Sequence, residues 1–128
     1  MASNSGPGYA AHPEHRVVVG PFRGRIQIEV GGEIIADTRE ALRLDEADYP
    51  PVYYLPRTDV RMDRLSRTDH KTRCPFKGEA SYFSIAGGRD NAVWSYETPY
   101  DEVTSIRERL AFYPNKVDAI RVVPDGEG

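Results

Sequence analysis

Cysteine is almost missing from this chain: Cys74 stands alone among 128 residues. One thiol makes no internal disulfide, which fits a reducing cytoplasm, and it excludes a structural zinc site of four cysteines or of three with a histidine. Histidine is nearly as scarce. Of the three present, His12 and His15 fall in a segment that reads as a loose tail, so a three-histidine metal site is not expected. No apolar run approaches the roughly 20 residues a membrane-spanning helix needs. No charged segment followed by an apolar one stands at the start, so the chain reads as lacking a signal peptide and as binding no membrane. A glycine-rich phosphate loop is absent too, because Gly87-Gly88-Arg89 reads as a hairpin turn and opens no helix.

What is present is enough for one domain with one core. Hydrophobic residues make up 39% and charged residues 29%, so the bulk of the chain is expected to fold. Residues 1–15 are poor in apolar mass and read as a flexible tail, and residues 124–128 as a fraying end, leaving a single domain over 16–123. The net charge is −3, unevenly spread. Between Arg57 and Lys77, seven Lys/Arg face three Asp, a local +4, while ten positive residues face seventeen negative ones elsewhere. A basic patch on an acidic protein suits an anionic ligand, or is simply a solvated mix of charges. A pI near 5.6 argues against general nucleic-acid binding.

Strand signals dominate. Arg25-Ile26-Gln27-Ile28-Glu29-Val30 alternates polar and apolar residues. Gly31-Gly32 and a second such run follow, which predicts a β-hairpin with a primed turn. A short strand is expected at residues 41–44. Val52-Tyr53-Tyr54-Leu55 is another, stopped by Pro56. Thr58 or Asp59 reads as the cap of one helical turn through 61–65, and the polar run 66–73 as a return loop. Residues 79–85 and 92–96 form a strand pair around a Gly87-Gly88 turn. Alternation puts Tyr82 and Ser84 on one face, Phe83 and Ile85 on the other, and Trp94 with Tyr96. Val103, Ile106 and Leu110 are spaced as one helical stripe, which predicts the one clear helix after Pro99. A closing strand is expected over 117–123.

Ten of the twelve Tyr and Phe, with Trp94, lie between Tyr49 and Tyr113. Core packing explains such a group, and a pocket lined by Tyr53, Tyr54, Tyr82, Trp94 and Tyr96 is the alternative. Cys74 is a candidate nucleophile if Arg73 and Lys77 favour its thiolate and His70 acts as base. The preferred reading is a small buried hydrophobe at a turn. Asp59, Asp63 and Asp69 lack the adjacent spacing of paired metal-binding carboxylates.

Four blocks carry a resemblance. They are Val52-Tyr53-Tyr54-Leu55-Pro56-Arg57, then Cys74-Pro75-Phe76-Lys77-Gly78-Glu79 running on to Ser84, then Ala92-Val93-Trp94-Ser95-Tyr96, then Ala111-Phe112-Tyr113-Pro114. In order and spacing they resemble the bacterial and fungal domain of unknown function 427 family, across about residues 24–123. Phe83 and Phe76 stand where that family often has Trp and Tyr. The resemblance implies a mainly β, β-tent-like fold: a pair of antiparallel sheets leaning together, one or two short helices, and a ligand pocket between the sheets. It is similar to zinc-bearing folds that use four cysteines, so the lone cysteine implies no zinc here. Some family labels read nucleotidyltransferase, which the residues do not support.

The resulting expectation is a cytoplasmic, zinc-free and cofactor-free domain. It binds a small, polar or anionic molecule in an aromatic pocket. Tyr54, Tyr82, Trp94 and Tyr96 would meet the ligand body, with Arg57, Cys74, Lys77 and His70 at its rim. Two rival classes stand beside it. One is an enzyme working through Cys74, Lys77 or carboxylates such as Asp59 and Glu79, or one of nucleotidyltransferase type. The other is a protein-interaction module.

Overall fold

A computed structural model describes residues 4–126. The architecture is mainly β, in three antiparallel sheets. The first sheet joins β1 (Val17–Pro21), β4 (Leu42–Glu46) and β5 (Val52–Tyr54), with β4 in the middle. The second joins β2 (Gly24–Val30) and β3 (Glu33–Thr38) with β10 (Ala119–Pro124) on the other side of β2. The third runs β6 (Leu65–Cys74), β7 (Gly78–Ile85), β8 (Val93–Tyr96), β9 (Ala111–Phe112). The pair of sheets expected from the sequence is thus realised as three.

The hairpin of β2 and β3 forms where the alternation and Gly-Gly place it. Gly31 and Gly32 take φ of +60° and +79°, the two left-handed angles a type I′ turn needs. Within β2 the inward set Ile26, Ile28 and Val30 is buried, and these side chains meet Phe83, Ile85 and Val93 of the third sheet. Burying each large aliphatic side chain is worth about 1.5–3 kcal/mol. A second apolar cluster lies on the opposite face of the third sheet, built from Tyr82, Tyr96, Tyr54, Leu44, Val103 and Ile106. The period-two reading of β7 and β8 therefore describes the molecule: odd positions Phe83 and Ile85 enter one core, while Tyr82, Trp94 and Tyr96 enter the other.

Three expectations are corrected. Val103, Ile106 and Leu110 are all buried, but not on an α-helix: Val103 and Ile106 sit on 3-10 turns over Asp101–Ile106 kinked at Val103, and Leu110 lies beyond them in a β-bridge with Leu55. The non-helical backbone of Val103 (φ −128°, ψ 32°) breaks the helix early, and Glu108 at φ +62° ends the segment. The polar run 66–73 is not a loop but most of the ten-residue strand β6. It lies at the sheet edge, where charged side chains on both faces cost little and guard against edge pairing. The helical turn near Thr58 is a pair of 3-10 turns, Arg57–Asp59 and Met62–Arg64, without side-chain caps, and Leu65 already belongs to β6.

The tail also differs from its expectation. From Asn4 onward it is docked. Gly8 N donates to the Pro75 carbonyl at 3.0 Å within the one short α-helix, α1 (Pro7–Ala11). Tyr9 Oη donates to the Phe76 carbonyl at 2.9 Å, and the Asn4 and Gly6 amides donate to Asp101 and Glu102. Composition had shown only little apolar mass. What anchors the segment is backbone hydrogen bonding and two aromatic contacts on Phe76, at 5.1 Å from Tyr9 and 4.0 Å from His15. At the other end β10 extends to Pro124, and Asp125 N donates to the Arg23 carbonyl. The remainder of the expected fraying end, 127–128, lies outside the described residues.

Candidate functional site

Residues 74–78 connect β6 to β7 in a tight turn. Gly78 takes φ +116°, and a Cβ there would also stand 3.4 Å from the Thr98 carbonyl. Glycine is thus required at this position. The turn aims Lys77 back at β4, where Nζ donates to Glu46 Oε1. His15 Nε2 lies 2.8 Å from the second oxygen, Oε2. All three side chains are largely buried, at 13% exposure for Lys77, 16% for Glu46 and 20% for His15. Burial pushes the Glu46 carboxyl up, but hydrogen bonds from Lys77 and His15 outweigh it and hold the group below the usual range.

Behind this trio stands the second aromatic cluster. Trp94 Nε1 donates to Tyr54 Oη at 3.3 Å. Tyr82 Oη lies 2.8 Å from Thr72 Oγ1 and 3.4 Å from Tyr113 Oη. The Trp94 and Tyr113 rings pack at 4.4 Å, and the His70 ring sits 4.5 Å from Tyr82. Cys74 is half-buried against the same cluster. Desolvation pushes the phenols of Tyr54 and Tyr96 well above their ordinary value, and the neighbouring Glu46 pushes the same way.

The structure thus brings Tyr54, Cys74, Tyr82, Trp94 and Tyr96 together, with Lys77 at their border. Yet Tyr54, Tyr82 and Tyr96 are packed, at 1%, 6% and 5% exposure, so most of this group is core and not the wall of an open pocket. Lys77 meets Glu46, not a free opening. No hydrogen bond joins Cys74 to Lys77 or His70 among the described residues, and the His70 ring faces Tyr82. Arg57 lies on the other face of the sheet, where Nη2 donates to Glu97 Oε2 at 2.6 Å and to Ser95 Oγ at 3.3 Å. Asp59 accepts from Thr38 Oγ1 at 2.7 Å, a contact that ties the Arg57–Asp59 turn to β3. Glu79 pairs at 3.6 Å with Arg73. The carboxylates thus stand apart, each tied to its own partner. Among the described residues no group of three or more His, Cys, Asp or Glu is arranged to hold a metal ion.

An open space does exist beside Trp94. A cleft of about 280 Å³ runs along the seam between β2 and β10 on one side and β5, β8 and β9 on the other. Ile28, Ile120, Tyr53, Trp94, Phe112 and Pro114 are among its walls, and no charged residue lines it. A wider groove of about 730 Å³ lies over the docked segment, between His12, Glu14, His15, Asp45, Asp48 and Phe76. It is shallow, and Asp45 is already engaged by the Arg43 guanidinium at 3.0 Å.

A family profile described as "Domain of unknown function (DUF427)" matches residues 18–123. The chain belongs to the domain of unknown function 427 family. The match covers every strand from β2 to β9 and excludes the docked segment 4–16. A search of curated proteins finds no match. Sequence reasoning missed Glu46, the partner of Lys77, and Glu97, the partner of Arg57. Each pair is 31 or more residues apart in the chain, and only the alternation of β4 and β8 hinted at which face they occupy.

Proposed function

We propose that this family member is a small-molecule-binding domain whose ligand places an apolar, flat portion in the cleft beside Trp94. The carrying observation is that cleft. It lies between sheets, it is lined by Tyr53, Trp94 and Phe112 with aliphatic neighbours, and no charged residue faces it. Concave apolar space with a few polar groups at its margin is the usual form of a ligand site. Among the lining residues Trp94 carries a polar group, Nε1, which donates to Tyr54 Oη at 3.3 Å. The site works by burial and stacking, with aromatic faces excluding water from the ligand. No helix among the described residues is long and apolar enough to cross a membrane. A cytoplasmic setting is inferred from the free thiol of Cys74.

A thermal-shift screen against metabolites tests the reading, because a ligand at 100 times its Kd adds about 2.7 kcal/mol. Trp94 is the only tryptophan, so its emission reports on this cleft directly. The expected result is a shift of that emission on binding, and weaker binding by Trp94→Ala. A confirmed ligand that leaves the emission unchanged and binds Trp94→Phe and Trp94→Ala equally well would place the site elsewhere.

A further inference from the structure

Arg57 and Arg67 grip the two oxygens of one carboxylate. Arg57 Nη2 donates to Glu97 Oε2 at 2.6 Å and Arg67 Nη2 donates to Oε1 at 2.9 Å. Both guanidiniums also lie over the Phe83 ring, at 5.6 and 5.2 Å from its centre, so their planes are held before any ligand arrives. Ser95 Oγ donates to the same Oε2 at 2.5 Å. Directly across the ladder from Ser95 is Ser81, and Lys71 Nζ donates to Ser81 Oγ at 2.9 Å. Lys71, Ser81, Ser95 and Arg57 therefore form one polar row across three strands and the turn after β5.

The charges in this row do not balance. Two cations, Arg57 and Arg67, hold the single carboxylate of Glu97, and a third, Lys71, one step along the row, spends its hydrogen bond on a neutral hydroxyl. The Arg73 and Glu79 pair further along the strands cancels itself. Ser81 and Ser95 are buried, at 4% and 0% exposure, and Arg57 Nε is a buried donor with no hydrogen-bond partner among the described residues. Buried donors are rarely left unsatisfied, so an orphan beside surplus positive charge marks a place that accepts an anion.

We propose that this row is a phosphate-binding site, and that Glu97 is a tethered occupant which the phosphate displaces. Two guanidiniums bridged by one anion, with hydroxyl and ammonium donors beside them, match the donor-only surface that a phosphate with several acceptor oxygens requires. Glu97 follows β8 directly and is 27% exposed, so its side chain has solvent to swing into. None of the residues lining the Trp94 cleft takes part, and the two proposals stand or fall separately.

Titration of the full chain at low salt, followed by the side-chain Nε–H signals of its arginines in NMR, tests this. Inorganic phosphate and ATP are the two phosphate probes, with acetate at equal ionic strength as the carboxylate comparison. Arg57 and Arg67 signals are expected to move first with phosphate. Glu97→Gln is expected to bind phosphate about tenfold more tightly, the scale of one competing charged hydrogen bond removed. Tighter binding of ATP would assign the site to organic phosphates, and equal binding to the free anion. Arg25→Gln, which breaks an exposed pair on the β2–β3 hairpin, is expected to change nothing. The proposal is overturned if other arginines respond first, if acetate matches phosphate, or if Glu97→Gln folds and binds no tighter.

Discussion

Lys77 and Glu46 form an ion pair across 31 residues of chain, and His15 holds the other oxygen of the same carboxylate. Three sheet-distant pieces meet there: the turn before β7, the end of β4, and the docked segment ahead of β1. Lys77→Met would leave Glu46 largely buried with one partner. A loss of about 2–3 kcal/mol is expected, below the 3–5 kcal/mol of a fully buried pair because both groups keep some solvent contact. Glu46→Gln should cost a similar amount, and the double variant less than the sum, with a coupling of about 1–3 kcal/mol. Urea denaturation of the four proteins measures this. Additive losses below about 0.5 kcal/mol would mean that the pair behaves as an ordinary surface contact.

The docked segment depends on a close approach. A Cβ on Gly8 would stand 2.8 Å from the Phe76 ring, and that ring is fixed between Tyr9 and His15. Gly8→Ala is therefore expected to free residues 4–15 while the strands remain folded, since the clash costs about 1–3 kcal/mol against few other contacts. Limited proteolysis should cut the variant within this segment before wild type. Equal cleavage rates would show that Phe76 yields and the segment stays down.

How much of this was legible beforehand depends on the kind of signal. The β2–β3 hairpin was readable because Gly31-Gly32 and the alternation are local. The two faces of β7 and β8 were readable because strand geometry fixes the period at two. Strand β6 was not, since at a sheet edge Ser66 to Arg73 need no apolar face. The stripe Val103, Ile106, Leu110 correctly named buried residues but not their backbone, because a 3-10 turn also brings every third side chain round, and Leu110 is buried by its bridge to Leu55 instead. Arg57 and Lys77 read from sequence as rim cations for one pocket. Their placement on opposite sides of the third sheet follows from long-range pairing with Glu97 and Glu46, which no local pattern encodes.

Cys74 is half-buried, with the docked segment on one side and the tyrosine cluster on the other. With no base in hydrogen-bond contact, its thiol is expected to react slowly with a neutral-pH thiol reagent in the folded protein. Cys74→Ser should retain ligand binding within about tenfold, or 1.4 kcal/mol. Labelling should accelerate in Gly8→Ala, because the segment that covers the 74–78 turn is released there. Rapid labelling of wild type, at the rate seen in denaturant, would instead make Cys74 an accessible and activated thiol.

The tyrosines set the behaviour in alkali. Burial drives the Tyr54 and Tyr96 phenols far above their ordinary value, and it raises Tyr9 from 10.0 to about 12, with Glu102 adding repulsion. A group whose folded value is raised favours the folded state fully below its unfolded value. That contribution is lost as pH rises through the folded value, because the unfolded chain releases the proton first. Stability should therefore fall steadily above about pH 10, where free tyrosine ionises. Phenolate absorbance should lag behind the value for free tyrosine until unfolding, then rise together with it. Tyr54→Phe combined with Tyr96→Phe removes two of the groups responsible, so the slope of stability against pH should flatten in that variant even though its stability at neutral pH is lower. An unchanged slope would show that the buried phenols of Tyr54 and Tyr96 do not set the alkaline loss.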